Sequence, residues 1–113
     1  MNVGFDIDGT ITRHPLFFAF LAQSLRQAGH RVLIITFRED RPATAADLAA
    51  WGISYNNLIT ATLDSSLKHG VDKWKAFVCR KEKVDIFFED DPDVLREIGS
   101  ATICFMPVDA AAG

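Results

Sequence analysis

Near its amino end the chain runs an apolar stretch into two carboxylates one residue apart, Val3-Gly4-Phe5-Asp6-Ile7-Asp8-Gly9-Thr10. In a strand through Val3 to Asp6 the side chains alternate, so Asp6 and Asp8 are expected to face the crevice beyond its carboxyl end while Ile7 turns away. Two anions there call for a cation. Gly9 permits a sharp turn and a close approach to a ligand, and the Thr10 hydroxyl can satisfy a carboxylate or the turn. Acids recur where Ile86-Phe87-Phe88 meets Glu89-Asp90-Asp91, and Val32-Leu33-Ile34-Ile35 ends in Thr36-Phe37-Arg38. Clustered carboxylates raise one another's pKa unless a divalent ion neutralises them, and an all-oxygen set suits Mg²⁺.

With such an ion, a carboxylate can attack an electrophilic phosphorus while Mg²⁺ and a lysine absorb the charge on the equatorial oxygens. A second carboxylate can protonate the leaving alkoxide and then activate water. Thr36 and the amides after it offer neutral donors to phosphoryl oxygens. For the lysine, a facing argument favours Lys73, which reaches back from a helix start; Lys75 lies on a different face, and Lys68 is a third candidate.

These residues need a scaffold that gathers strand ends. Short β-branched or aromatic runs alternate with amphipathic segments, which predicts an α/β fold, a doubly wound parallel sheet whose ligands bind beyond the carboxyl ends of the strands. Five strands are expected, at Asn2 to Asp6, Arg31 to Phe37, Asn57 to Thr62, Val84 to Glu89 and Ala101 to Phe105. A helix rich in core aromatics, Phe17, Phe18 and Phe20, continues to Ala28, with Gly29 as its stop. A second has Pro42 in its first turn, Ala46, Leu48, Ala49 and Trp51 along one side, and Gly52 at its end. Asp72 is expected to cap a third helix that turns Trp74, Phe77 and Val78 inward, and Pro92 opens a short last one. The tail Ala110 to Gly113 is expected to fray.

At 113 residues the chain is expected to be one domain over 1–113 with a single core. A net charge of −3 gives no broad attraction to nucleic acid or to an anionic membrane, so any phosphate binding must be local. Cys79 and Cys104 read as reduced thiols of a cytoplasmic protein, and no apolar run approaches a membrane span. His14, His30 and His69 show no metal-ligand spacing and read as loop or surface residues.

The order Asp6-Ile7-Asp8-Gly9-Thr10, then Thr36 after an apolar strand, a lysine, and Glu89-Asp90-Asp91 resembles the haloacid dehalogenase superfamily, phosphatase branch. The resemblance spans most of the chain. It implies Asp6 as nucleophile, Asp8 as acid and base with its backbone carbonyl toward Mg²⁺, Thr36 as phosphate-binding hydroxyl and Asp90 as metal ligand, flanked by Glu89 and Asp91. Only 25 residues separate Thr10 from Thr36, too few for a sizeable cap. The chain therefore resembles a capless member, in which an open site accepts a large substrate or borrows a lid from a partner subunit, a second copy included. Thr36-Phe37-Arg38, Thr44 and the stretch Trp51 to Leu58 are similar to those of nucleotidases and polynucleotide 3′-phosphatases of the superfamily. The implied activity is Mg²⁺-dependent hydrolysis of a phosphomonoester, with a phosphorylated small molecule or nucleotide as substrate. Arg38 is open to two readings, a contact to substrate phosphate or a solvated loop residue. A signalling receiver domain uses similar residues, but its phosphorylated aspartate ends a later strand, where this chain has Thr60 and Thr62. A catalytically silent binding module is the other alternative, one that has no reason to hold like charges together.

Overall fold

The computed structural model describes residues 1–62 and 69–109. Its elements, in chain order, are β1 (Asn2–Phe5), α1 (Pro15–Gln27), β2 (Arg31–Thr36), α2 (Arg41–Ala50), β3 (Asn57–Thr60), α3 (Val71–Lys81), β4 (Ile86–Phe88), α4 (Pro92–Glu97) and β5 (Ile103–Phe105). The five strands form one sheet in the order β3-β2-β1-β4-β5, and every pairing is parallel. The doubly wound α/β fold is as expected. The strands are shorter than the apolar runs implied, because the polar residues at their ends leave the ladder to build the crevice.

β2 shows why both faces must be covered. Its Val32-Leu33-Ile34-Ile35 run is buried throughout, as a strand with a packed layer on each side requires. Val32 and Ile34 join Val3 and Phe5 under Phe18 and Ala22 of α1 and Leu48 of α2. Leu33 and Ile35 join Phe87 under Trp74, Val78 and Cys79 of α3 and Val94 of α4. Phe18 pins α1 through edge-to-face contacts with Phe5 and Phe88, at ring separations of 5.2 and 5.5 Å. Burying such a ring contributes about 1.5–3 kcal/mol, to which the ring geometry adds.

Three expectations about helix faces are corrected. Phe17 and Phe20 are exposed, and only Phe18 of the three aromatics is core; the arc that meets the sheet runs through Phe18, Leu21, Ala22 and Leu25, with Phe17 on its flank and Phe20 on the solvent side. In α2 the inward residues are Thr44 and Leu48, with Ala45 and Trp51 partly buried, while Ala46 and Ala49 face solvent. Asp72 does not cap α3: the helix starts one residue earlier, after Gly70, and Asp72 sits in its first turn. The expectation for the tail from Ala110 falls outside the described residues.

The chain winds from β1 through β2 to β3 on one side, then crosses back to place β4 and β5 on the other. The direction of winding thus reverses between β1 and β4. Loops diverge there, and a crevice opens beyond the strand ends.

Candidate active site

Asp6 stands at that reversal. Its amide still donates to the Phe88 carbonyl at 3.0 Å, which ties the end of β1 to the end of β4 and brings Asp6 beside Glu89 and Asp90. Beyond Asp6 the chain turns through Gly9, whose φ of +81° is in the left-handed region. A Cβ at Gly9 would lie 2.1 Å from an Asp90 carboxylate oxygen, so the turn demands glycine on both conformational and steric grounds. The Thr10 hydroxyl donates to Asp6 Oδ2 at 3.1 Å.

Lys75 is the centre of the buried part. Its Nζ lies 2.6 Å from Asp6 Oδ1 and 2.6 Å from Glu89 Oε1, and all three side chains are almost fully removed from solvent. The ammonium also sits 4.6 Å from the Phe37 ring centroid, a favourable cation–π contact. Glu89 Oε2 accepts from the amides of Asp90 (3.0 Å) and Asp91 (3.2 Å), which shapes the loop after β4. Burial pushes the Glu89 carboxyl up to about 8 against the pull of Lys75, with the Asp6 charge adding to the rise. Burial also raises Asp6, although Lys75 opposes it. Burial alone would lower Lys75, but the charges of Asp6 and Glu89 prevail and hold it protonated.

Asp8 occupies a different environment. It is exposed, and Arg38 grips it in fork geometry, Nε to Oδ2 at 3.0 Å and Nη2 to Oδ1 at 2.8 Å. The remaining Nη1 of Arg38 bonds Asp47 at 2.8 Å, and the guanidinium carbon lies 5.7 Å from the Trp51 ring centroid. Hydrogen bonding from Arg38 holds the Asp8 carboxyl below the usual carboxylate range.

Thr36 is buried at the end of β2, where its Oγ1 accepts from the Arg38 amide at 3.1 Å. Asp91 caps α4, accepting from the Asp93 amide at 2.9 Å. A cavity of about 400 Å³ is lined by Asp6, Asp8, Thr36, Lys75, Glu89 and Asp90, with Phe37 and Pro92 at its walls.

The chemistry of this set fits a divalent cation. Carboxylate oxygens of Asp6, Glu89 and Asp90 lie within 4.8 Å of one another. One ammonium stands against three acids, so the fully ionised cluster keeps an excess of negative charge. Hard oxygen donors with uncompensated charge are what Mg²⁺ selects.

Asp6, Asp8, Thr36 and Asp90 therefore line one crevice. Lys73 does not reach it. The buried arc of α3 runs through Trp74, Val78, Lys75 and Cys79, and Lys73 lies outside it in solvent. A lysine amid apolar neighbours at i−1, i+3 and i+4 was the signal that favoured Lys75, since a buried lysine has to be paired. Glu89 was similarly legible: it shares strand parity with Phe87, which faces α3. Arg38 touches two carboxylates and is no free loop residue. Lys68 lies outside the described residues.

No protein-family model matches the sequence, and no curated protein does. Among solved structures, a chain of the Pnkp1/Rnl/Hen1 complex superposes with a TM-score of 0.75 at 23% identity over 94% of this chain. A chain in a structure of the Pnkp1/Rnl/Hen1 RNA repair complex gives 0.72 at 21% over the same share. A putative 3-deoxy-D-manno-octulosonate 8-phosphate phosphatase from Vibrio cholerae gives 0.49 at 18% over 91%. The present chain spans 45% and 42% of the first two chains, less than half their length. The first two likenesses show that the α/β fold is shared. Among the described residues, no helix is long and apolar enough to cross a membrane.

Proposed function

We propose that the crevice hydrolyses a phosphomonoester through an aspartyl-phosphate on Asp6, with Mg²⁺ held by the Asp6 and Asp90 carboxylates and the Asp8 backbone carbonyl. The observation that carries this reading is the buried Asp6–Lys75–Glu89 group opening on the cavity at the point where the sheet reverses. Bound there, the ion would offset the negative charge of the acids and of the phosphoryl oxygens.

Each side chain then has a task. Glu89 spends its oxygens on Lys75 and on two backbone amides, so it seats the lysine and the loop. Lys75 orients Asp6 and supplies positive charge beside an arriving phosphoryl group. The Thr36 oxygen already accepts from the Arg38 amide, leaving its own hydroxyl proton to donate to a phosphoryl oxygen. An Asp6 oxygen forms the bond to phosphorus as the bond to the leaving oxygen breaks, and Asp8, freed from Arg38 and protonated from solvent, gives that oxygen its proton. Asp8 next takes a proton from water, which attacks phosphorus, breaks the bond to Asp6 and releases phosphate. The acid step requires Asp8 to leave Arg38, and the exposure of the pair gives it room.

Among the described residues, one turn and α1 separate β1 from β2, and α2 alone separates β2 from β3. No lid stands over the cavity from either connection. An open crevice suits a phosphate at the end of a large molecule, and chains of similar fold were solved in an RNA repair complex. Both favour a nucleotide or polynucleotide 3′-phosphate as substrate class.

The test is hydrolysis of an aryl phosphate, nucleotides and 3′-phosphorylated oligonucleotides, with Mg²⁺ and with chelator. Mg²⁺-dependent turnover that disappears in Asp6→Asn and Asp8→Asn is expected. A wild-type protein inactive on the whole panel would instead mark a binding module that keeps the fold.

A further inference from the structure

Arg38 is held from three sides, and the three holds differ in kind. Its amide donates to Thr36 Oγ1 at 3.1 Å, which fixes its backbone at the end of β2. Its Nη1 donates to Asp47 at 2.8 Å, and the guanidinium carbon lies 5.7 Å from the Trp51 ring centroid. Asp47 and Trp51 are four residues apart, one above the other at the end of α2, and the Trp51 amide donates to the Asp47 carbonyl at 3.0 Å. Leu48 beside them is buried against the sheet, so this seat is part of the packed scaffold. The third hold is the fork onto Asp8. Asp8 stands in the turn between β1 and α1, and its side chain is 64% exposed against 26% for Arg38.

Of these partners, Asp8 is the one that must let go if it is to reach a leaving oxygen. A guanidinium with no other carboxylate would then be left unanswered or would follow Asp8. The crevice would draw it inward, because three acids there stand against one ammonium. Asp47 answers the charge from outside the crevice. An arginine shared between two carboxylates gives up one of them at a fraction of the cost of losing its only partner, since its planar fork leaves Nη1 where it was.

We propose that Asp47 is a positioning residue of the hydrolysis: with Trp51 beside it, Asp47 keeps Arg38 in its seat while Asp8 swings to the leaving oxygen and back. The inference rests on the phosphatase reading and adds to it the residue that frees Asp8. An ordinary surface ion pair would contribute a little stability and touch no step of the reaction.

Steady-state hydrolysis of phenyl phosphate with Mg²⁺ tests it. In Asp47→Ala, kcat is expected to fall roughly 5-fold, the rate equivalent of one exposed ion pair, with KM unchanged. The loss should shrink on nitrophenyl phosphate, whose leaving oxygen needs the proton less. Removing Arg38 as well is the sharper arm: Arg38→Met in the Asp47→Ala background is expected to recover kcat, because nothing then travels with Asp8. Asp47→Glu keeps a carboxylate in the seat and should retain most of the rate. The Asp47 side chain is 53% exposed, so far-UV circular dichroism is expected to remain that of the wild type. Asp47→Asn, which keeps the shape and removes the charge, should show the same loss and the same recovery, and it guards against loss of fold in the alanine variant. An active wild type in which the losses from Asp47→Ala and Arg38→Met add, or in which Asp47→Ala leaves kcat untouched, overturns the proposal while the phosphatase reading stands. A wild type inactive on both esters overturns the two together.

Discussion

Asp6 and Asp8 are the same residue type two positions apart, yet their surroundings are opposite. Asp6 is buried, held by a lysine that a second buried acid shares, and its carboxyl is pushed up by desolvation. Asp8 is exposed, gripped by a partly buried arginine, and its carboxyl is pulled down. The difference comes from the turn at Gly9, which carries the chain out of the core between them. It teaches that position along the chain does not set a carboxylate's chemistry; removal from water and the partner cation do. The fixed, dry acid is suited to attack. The wet acid is suited to exchange protons.

The largest expected effect falls on turnover. Asp6→Asn keeps the shape but removes the proposed nucleophile, and its rate on an aryl phosphate should fall at least about 1,000-fold; Asp8→Asn, which removes the proposed general acid and base, should lose roughly 100- to 10,000-fold. Equal, small losses in both variants would erase the proposed division of labour.

Stability should separate the two cations next. Lys75→Met leaves Asp6 and Glu89 buried without their counter-charge, a loss of about 3–5 kcal/mol in denaturant unfolding. Arg38→Met breaks a solvent-exposed pair and should cost under about 1 kcal/mol. Arg38 costing as much as Lys75 would show that exposure does not distinguish the pairs as described.

A pH series of the metal-free protein sharpens the contrast further. Glu89 holds its proton more tightly folded than unfolded, with its carboxyl raised from 4.5 to about 8. Its contribution to stability therefore falls as pH rises between those values, because the native state binds the extra proton. Asp8 has the opposite sign: its lowered carboxyl contributes stability above about 3.8 that is lost as pH falls through its folded value. Mg²⁺ should flatten the fall between pH 5 and 8 by neutralising the buried acids. A melting temperature that rises across that range without metal would contradict the buried-acid account.

The smallest effect is chemical. Burial pushes the Cys79 thiol up to about 12, so alkylation at pH 8, followed by mass spectrometry, should leave Cys79 unmodified in native protein. Rapid labelling of that site would mean that the packing beneath α3 is open.

Legibility followed the same division. The apolar runs ending in Asp6, Thr36 and Glu89 announced the strands and the edge at which they meet, because a run buried on both faces has few alternatives. The Thr10 hydroxyl bond to Asp6 and the Asp91 cap rest on spacings of a few residues and were readable too. Reach from the helix start favours Lys73, whereas the apolar arc around Lys75 is the pattern that buries a lysine beside Asp6. Phe17 and Phe20 were expected inside because they are apolar. Which residues of α1 meet the sheet depends on the strand order, and that order depends on a crossover between distant segments. The grip of Arg38 on both Asp8 and Asp47 joins three loops or elements, and no local pattern encodes it.

The central claim is covalent attachment of phosphate to Asp6. Protein quenched in acid during turnover with Mg²⁺ and an aryl phosphate, then analysed by peptide mass spectrometry, tests it directly. A phosphoryl adduct on Asp6 is expected, one that hydroxylamine removes and that is missing from Asp6→Asn. An active enzyme that never carries the adduct, or carries it on another residue, would contradict it.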